Sequence, residues 1–212
     1  MPRQKRKNKI VIGLTGSFGS GKTTVARILS SCGASIIDAD KIARSCFSRK
    51  NKIYKKVISA FGGKILTADK NIDRRKLANI VFNDRELLRK LNSIVHPEVI
   101  GIIKSKINSK KKGVIILDAP LLLEVGLRNE VDSLVVVTIN KGKQLNRLIK
   151  KTSLKRADIL QRIKYQIPLR VKARLADFII DNNGSLSETR KQAKELIMKL
   201  TPRLAKSAGA RS

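Results

Sequence analysis

Aromatic and sulfur-containing side chains are scarce in this chain of 212 residues. Only 3% of the residues are aromatic, tryptophan is absent, and 42% are hydrophobic. A core of domain size must therefore be built from Ile, Leu and Val. The two cysteines, Cys32 and Cys46, are too few for a disulfide framework or a cysteine-rich metal motif. The composition excludes small disulfide-rich secreted proteins, and we expect two idle thiols in a reducing compartment.

Long apolar segments are missing as well. The first apolar run, Ile10–Leu14, is too short for the core of a signal peptide or for a membrane span. No later apolar run is long enough to span a bilayer. The length suits one domain, or one domain with insertions. We therefore expect a cytoplasmic protein that makes no membrane contact and is a monomer or a weak oligomer.

Acidic residues are few: 16 Asp and Glu face 47 Lys and Arg, for a net charge of +31. Five positive charges lie in residues 1–9 and three in residues 203–212, so most of the charge is spread along the chain. A diffuse charge attracts polyanions without reading a nucleotide sequence. Because no zinc-finger spacing or aromatic ribonucleoprotein motif is present, small polyanionic substrates are favoured over nucleic acid as partners. The basic tails, residues 1–8 and 203–212, are expected to be flexible.

The most informative stretch runs from Gly16 to Thr24. It follows the apolar run Ile10–Leu14, which predicts a strand, and precedes Val25–Leu29, which predicts a helix. Its Gly-x-x-x-x-Gly-Lys-Thr pattern is that of a P-loop in the strand–loop–helix setting the motif requires. The glycines allow backbone amides to approach phosphate oxygens. The predicted ATP-binding residues of the loop are Gly16, Ser17, Phe18, Gly19, Ser20, Gly21, Lys22, Thr23 and Thr24.

Within this loop, Lys22 is expected to reach the β- and γ-phosphates, and the Thr23 hydroxyl to ligate Mg²⁺. Acidic residues follow two predicted strands, where ligands of open α/β sheets bind. Asp38 and Asp40 follow the short strand Ser35–Ile37; we expect one of them to cap the next helix and the other to take part in the chemistry. Asp118 ends the strand Gly113–Leu117 and is the candidate acid for the metal.

Strand and helix patterns alternate along the chain, with further strands at Ser133–Val137 and Phe178–Ile180. This alternation predicts an α/β protein with a doubly wound, five-stranded parallel sheet. Residues 41–112 show helical patterns without a strand, which predicts an inserted helical lobe. Within it, a helix is expected to open at Asp84 and to end near Val95, before His96-Pro97.

Residues 141–176 are helical and rich in cations. The cations are Lys141, Lys143, Arg147, Lys150, Lys151, Lys155, Arg156, Arg162, Lys164, Arg170, Lys172 and Arg174. Such a segment in a phosphotransfer enzyme forms a lid whose cations meet the transferring phosphate, and the alternative is a solvated pair of charged helices. A last amphipathic helix, Leu186–Leu200, is expected to end at Pro202.

Four segments in this order make the sequence similar to the dephospho-CoA kinase family, over about residues 9–200. They are Gly13-Leu14-Thr15-Gly16 with the P-loop, Ile37-Asp38-Ala39-Asp40 before Ile42-Ala43-Arg44, Pro120-Leu121-Leu122-x-Glu124 before Gly126-Leu127, and Ala176-Asp177-x-Ile179-Ile180-Asp181-Asn182-Asn183-Gly184. The resemblance implies transfer of the γ-phosphoryl of ATP to the ribose 3′-hydroxyl of dephospho-CoA, with Mg²⁺. It also implies the P-loop NTPase fold, with a core of residues 9–40 and 113–200, a CoA-binding lobe of 41–112 and a lid of 141–176.

The resemblance also implies roles for single residues. Asp40 is similar to the family's base for the 3′-hydroxyl, Arg147 to its lid arginine, and Asn182 to a residue that packs the adenine. The residues expected on the acceptor side are Asp38, Asp40, His96 and Leu121. The family often has an Arg-Asp pair after the lid arginine, where this chain has Lys151-Thr152. Two alternatives remain open: a nucleoside or nucleotide kinase on the same scaffold, and a nucleic-acid-binding protein that uses ATP as a switch.

Overall fold

The computed structural model describes residues 8–82 and 84–208, which form five strands, nine α-helices and two short 3-10 helices. The tails predicted to be flexible are residues 1–8 and 203–212. Of these, residues 1–7 and 209–212 lie outside the described range. In the described part of the chain, no helix is both long enough and apolar enough to cross a membrane.

The five strands form one parallel sheet. They are β1 (Lys9–Gly16), β2 (Ser35–Asp38), β3 (Gly113–Asp118), β4 (Ser133–Thr138) and β5 (Phe178–Asp181), in the order β2-β3-β1-β4-β5. The expected five-stranded α/β fold is confirmed. The three central strands are buried on both faces, which explains why their sequences are continuous apolar runs and do not alternate.

Carboxylates at the sheet's amino-terminal edge accept hydrogen bonds from strand amides. Asp132, just before β4, accepts from Val11 N at 2.7 Å, and Asp177, just before β5, accepts from Leu134 N at 2.7 Å. Asp177 also accepts from Arg128 Nη2 at 2.9 Å. These bonds satisfy backbone donors close to where the strands begin, and they help to fix the register of the parallel pairs.

Nine α-helices accompany the strands in the described part of the chain. They are α1 (Lys22–Ser31), α2 (Ala39–Cys46), α3 (Lys52–Phe61), α4 (Arg74–Phe82), α5 (Arg85–Ser109), α6 (Lys141–Lys151), α7 (Arg156–Lys164), α8 (Leu169–Arg174) and α9 (Leu186–Ala208). Local sequence explains several of their ends. Asp84 accepts from Glu86 N at 2.7 Å and so opens α5 as predicted, while Ser185 and Glu188 form a capping box at the start of α9.

The chain divides into two compact units: residues 1–38 with 107–212, and Ala39–Lys106. The first unit contains the whole sheet. Its main core packs the apolar faces of α1 and α9 against β1 and β4. The buried residues include Ile12, Leu14, Val25, Leu29, Val135, Val137, Ala193, Leu196 and Leu200.

The second unit is built from helices. Gly62, at φ 76°, directly follows the last residue of α3. The only pairing of extended backbone among the described residues of this unit is the isolated antiparallel bridge between Leu66 and Ile72. Cys46 is a buried free thiol here, and Cys32 is a partly buried free thiol in the first unit.

Two predicted helix ends are wrong, and both involve proline. The helix expected to stop near Val95 continues through Pro97 to Ser109, and the last helix continues through Pro202 to Ala208. A proline inside a helix costs about 3 kcal/mol but removes only one donor. Side chains buried in the same helices, such as Ile103 in α5 and Leu200 in α9, are fully enclosed. Their packing outweighs the lost bond.

Candidate nucleotide-binding site

The P-loop connects the end of β1 to the start of α1. Gly19 and Gly21 have φ values of 81° and 90°, which glycine adopts without steric cost. Within the described chain no side chain caps α1, and no acidic residue lies in its first turn. The amides at this helix start therefore keep their capacity to bind an anion, and the helix dipole favours one.

Lys22 and Asp118 form an ion pair across the site. Lys22 is the first residue of α1 and Asp118 the last of β3, and their side chains are 13% and 11% exposed. Asp38 lies beside Asp118 in the β2–β3 register, so both carboxylates stand at the carboxyl end of the sheet. Thr23 is exposed in the first turn of α1. The fold thus brings Lys22 and Asp118 together at the carboxyl end of the sheet.

The oxygen donors at this position suit a hard cation. Asp118 offers a carboxylate and Thr23 a hydroxyl, the ligand types that Mg²⁺ prefers. Among residues 8–82 and 84–208, no group of three His, Cys, Asp or Glu side chains could hold a metal by itself. A cation here would therefore need phosphate oxygens and water as its remaining ligands, which is how Mg²⁺ is held in many phosphotransfer sites.

Asn182 joins the far end of the P-loop to α9. Its Nδ2 donates to Ser20 O at 2.7 Å, and its Oδ1 accepts from Thr189 Oγ1 at 3.0 Å. A Cβ on Gly21 would collide with this amide and would lie 3.1 Å from Arg147 Nη1. The structure therefore brings both Asn182 and Arg147 to the loop. Packing of Asn182 against adenine stays a prediction.

One face of α6 contacts the P-loop at several points. Gln144 Nε2 donates to Ser17 Oγ at 2.9 Å and to Phe18 O at 2.6 Å. Leu148 touches Gly19 so closely that a Cβ there would lie 2.5 Å from Leu148 Cγ. Gln144, Arg147 and Leu148 are spaced three and four residues apart, which places them on one side of the helix. The sequence prediction included only Arg147 from this face.

A second glutamine reaches the loop from the segment after α7. Gln166 Oε1 accepts from Phe18 N at 2.8 Å, and the Arg162 guanidinium lies 5.8 Å from the centre of the Phe18 ring. Sequence reasoning missed Gln166 because an uncharged residue in a cationic segment gives no signal. The helical spacing from Arg147 was the one signal that could have found Gln144.

Lys172 is fully buried, although the sequence prediction counted it among the cations that meet phosphate. Its Nζ lies 2.7 Å from Glu124 Oε1 and donates to Pro120 O at 2.7 Å. Glu124 Oε1 also accepts from Ile167 N at 3.0 Å, and Thr15 Oγ1 donates to Pro120 O at 3.0 Å. Burial lowers the pKa of Lys172, and the bond to Glu124 opposes that shift. Lys172 thus ties α8 to the turn after β3, and its contact with phosphate stays a prediction.

The remaining predicted residues divide between the two units. Leu121, in the turn after β3, is 42% exposed. Asp40 lies in the first turn of α2, and His96 lies inside α5, so His96 does not precede a helix start. Burial lowers the pKa of the His96 imidazole. The acceptor-side roles of Asp38, Asp40, His96 and Leu121 stay predictions.

Comparison with known proteins identifies the family. The family model described as CoaE, dephospho-CoA kinase, matches residues 10–188. The chain belongs to the dephospho-CoA kinase family. It is 47% identical to the dephospho-CoA kinase of Carboxydothermus hydrogenoformans over 192 residues, covering 89% of this chain and 93% of the relative. It is 41% identical to the enzyme of Bacillus licheniformis, with 89% and 95% covered.

Solved structures of related proteins share this fold. The dephospho-CoA kinase from Campylobacter jejuni superposes with a TM-score of 0.69 at 29% identity, covering 92% of this chain and 98% of that one. The Thermus thermophilus protein TT1252 gives a TM-score of 0.82 at 30% identity, with 91% and 98% covered. The match to the family model therefore includes the P-loop, the carboxyl ends of the strands and the segment from α6 to α8.

Proposed function

We propose that this protein transfers the γ-phosphoryl of ATP to the ribose 3′-hydroxyl of dephospho-CoA and so completes the synthesis of coenzyme A. The observation that carries the proposal is the family match over residues 10–188, which includes the P-loop, Asp118, Arg147 and Asn182. These residues all belong to the unit that contains the sheet.

The P-loop residues provide binding and charge for the triphosphate. Loop amides and the start of α1 bind phosphate oxygens, and Lys22 neutralises charge at the β- and γ-phosphates. Asp118 forms an ion pair with the Lys22 ammonium at the end of the sheet. Arg147, at Gly21, adds a guanidinium that can bind two phosphate oxygens at once. Phosphoryl transfer needs this positioning and neutralisation more than covalent chemistry by the protein.

Magnesium is proposed as the required cation, with Asp118 and Thr23 as the residues that would hold it. When bound, Mg²⁺ neutralises negative charge on the β- and γ-phosphate oxygens. The carboxylate of Asp118 and the hydroxyl of Thr23 would supply oxygen donors for it. Because Asp118 already contacts Lys22, its carboxylate serves both cations.

On the acceptor side, Asp40 is proposed to accept or orient the proton of the 3′-hydroxyl. Asp38, His96 and Leu121 are proposed to contact the acceptor, and Asn182 the adenine of ATP. The inserted helical residues 41–112 are proposed as the CoA-binding lobe, and residues 141–176 as the lid. We also propose a cytoplasmic location, in keeping with two free thiols.

The test is phosphate transfer from ATP to dephospho-CoA, followed by mass spectrometry of the acceptor. The expected product is heavier by one phosphoryl group and is formed only when Mg²⁺ is supplied. Lys22→Ala should remove most of the activity, whereas Lys191→Ala, at an exposed position on α9, should not. ATP binding without this product would overturn the acceptor assignment, and nucleosides, nucleotides and nucleic acid would then be screened as acceptors or effectors. Near-normal turnover by Lys22→Ala would overturn the P-loop assignment.

A further inference from the structure

The Ser17–Phe18 part of the P-loop is held by side chains from residues 141–176. Gln144 Nε2 donates to Phe18 O at 2.6 Å, and Gln166 Oε1 accepts from Phe18 N at 2.8 Å. Both backbone groups of one residue are thus satisfied by two glutamines, one on α6 and one in the segment between α7 and α8. Gln144 is only 4% exposed, and it bonds Ser17 Oγ at 2.9 Å as well.

These bonds matter because the loop around them is rich in glycine. Gly16, Gly19 and Gly21 give the free loop many backbone conformations, and ordering them on nucleotide binding costs entropy. A loop that is already held in its binding conformation avoids part of that cost, which raises affinity. The two glutamines contact the loop at its N-terminal half, at Ser17 and Phe18.

We propose that Gln144 and Gln166 are positioning residues that set the affinity for ATP by holding Phe18 in one conformation. Neither residue needs to touch the nucleotide. The inference deepens the proposed function, because it takes ATP as the ligand of the P-loop, but it does not depend on which acceptor is phosphorylated. By reciprocity, ATP should in turn stabilise the segment that carries the two glutamines.

The two glutamines play opposite hydrogen-bonding roles, and this gives a sharp test. Gln144 must donate to Phe18 O, whereas Gln166 must accept from Phe18 N. A glutamate has the same shape as a glutamine, but in its ionised form it can accept hydrogen bonds and cannot donate them. Gln166→Glu should therefore preserve the bond, while Gln144→Glu should lose it and place two acceptors against each other.

The experiment measures ATP binding by calorimetry on the full-length protein. Gln144→Glu and Gln144→Met should each raise the Kd for ATP about tenfold, since they leave Phe18 O without its donor. Gln166→Leu should raise it about fivefold, and Gln166→Glu should stay within about twofold of the wild type. Gln166→Glu also controls for an added negative charge near the triphosphate. In the transfer assay, the KM for ATP should rise while the KM for dephospho-CoA stays unchanged.

Several outcomes would overturn the inference. If all four variants bind ATP as the wild type does, or lose only melting temperature, then the glutamines are merely structural. If the two glutamate variants are weakened equally, added charge and not hydrogen-bond direction explains the loss. A wild-type protein that binds ATP but does not phosphorylate dephospho-CoA would refute the proposed acceptor and leave the binding comparison valid. A wild-type protein that binds no ATP would refute both.

Discussion

Lys172→Met should destabilise the protein strongly, even though the substitution removes a charge from an apolar environment. Lys172 is fully enclosed, and its ammonium lies 2.7 Å from Glu124 Oε1. The Glu124 side chain is 17% exposed, and its Oε2 atom is buried without a partner among the described residues. Once the lysine is removed, the Ile167 amide is the one donor left to that carboxylate within residues 8–82 and 84–208.

The size of the effect follows from the cost of an uncompensated buried charge. Breaking a buried pair by removing one partner costs about 3–5 kcal/mol. Because Glu124 keeps some exposure and one backbone bond, we expect the lower end, about 3 kcal/mol. For a chain of this length each kcal/mol lowers the melting temperature by about 2–4 °C, so the expected fall is about 6–12 °C.

The assay is thermal unfolding of four proteins: the wild type, Lys172→Met, Glu124→Gln and the double variant. The double variant should recover about 2 kcal/mol relative to the sum of the single changes, because the charge that each single change strands is then absent. Lys194→Met, at an exposed position on α9, is the matched control and should stay within about 0.5 kcal/mol. The reasoning would be refuted if Lys172→Met had the same melting temperature as this control. It would also be refuted if the changes in unfolding free energy of the two single variants added up to that of the double variant.

Other changes test the acceptor side and the buried groups. Asp40→Asn should lower the turnover number at least tenfold with little effect on the Kd for ATP; if Asp38→Asn does so instead, the two roles are exchanged. His96 is the single histidine, so one NMR signal should report a pKa below the ordinary value near 6.5, because burial disfavours the charged ring. The stability that the neutral His96 ring contributes should be fully present above about pH 6.5 and should be lost as the pH falls through the lowered pKa. The His96→Gln variant should not show this loss. Maleimide should label partly exposed Cys32 faster than buried Cys46, whose pKa is raised by burial; equal rates would contradict the burial.

The sheet and the phosphate loop could be predicted because their signals are local. A strand buried on both faces has a continuous apolar sequence, and the sheet places the ends of its parallel strands at one edge. That reasoning predicted Asp118 at the carboxyl end of the sheet, and the structure adds its ion pair with Lys22. The loop pattern itself requires a strand before it and a helix after it.

The prolines show where local rules fail. Pro97 and Pro202 were expected to end helices, since proline lacks the amide that continues the hydrogen-bond ladder. Both helices continue because side chains elsewhere along them are buried in cores that the local sequence does not reveal. Burial is decided by the whole fold, and it can exceed the cost of one missing bond.

The glutamines and Lys172 could not be predicted for a related reason. Gln144 contacts a residue 127 positions away in the sequence, and Lys172 one that is 52 positions away. A charged or amide side chain on a basic helix looks the same in sequence whether it faces solvent or a loop. Only the packing of α6 and α8 separates the buried members of this segment from its solvated ones.

The contact between Gly21 and Asn182 changes what a P-loop match means in this chain. The absence of a side chain at Gly21 is required by the Asn182 amide, which bonds the loop from 162 positions further along the sequence. A methyl group there would displace the Asn182 amide from Ser20 O even in a protein that never meets a nucleotide. The glycine at this position of the phosphate-binding motif is therefore also required for the contact between the P-loop and the segment after β5. Substitutions at Gly21 should consequently affect folding and nucleotide binding together.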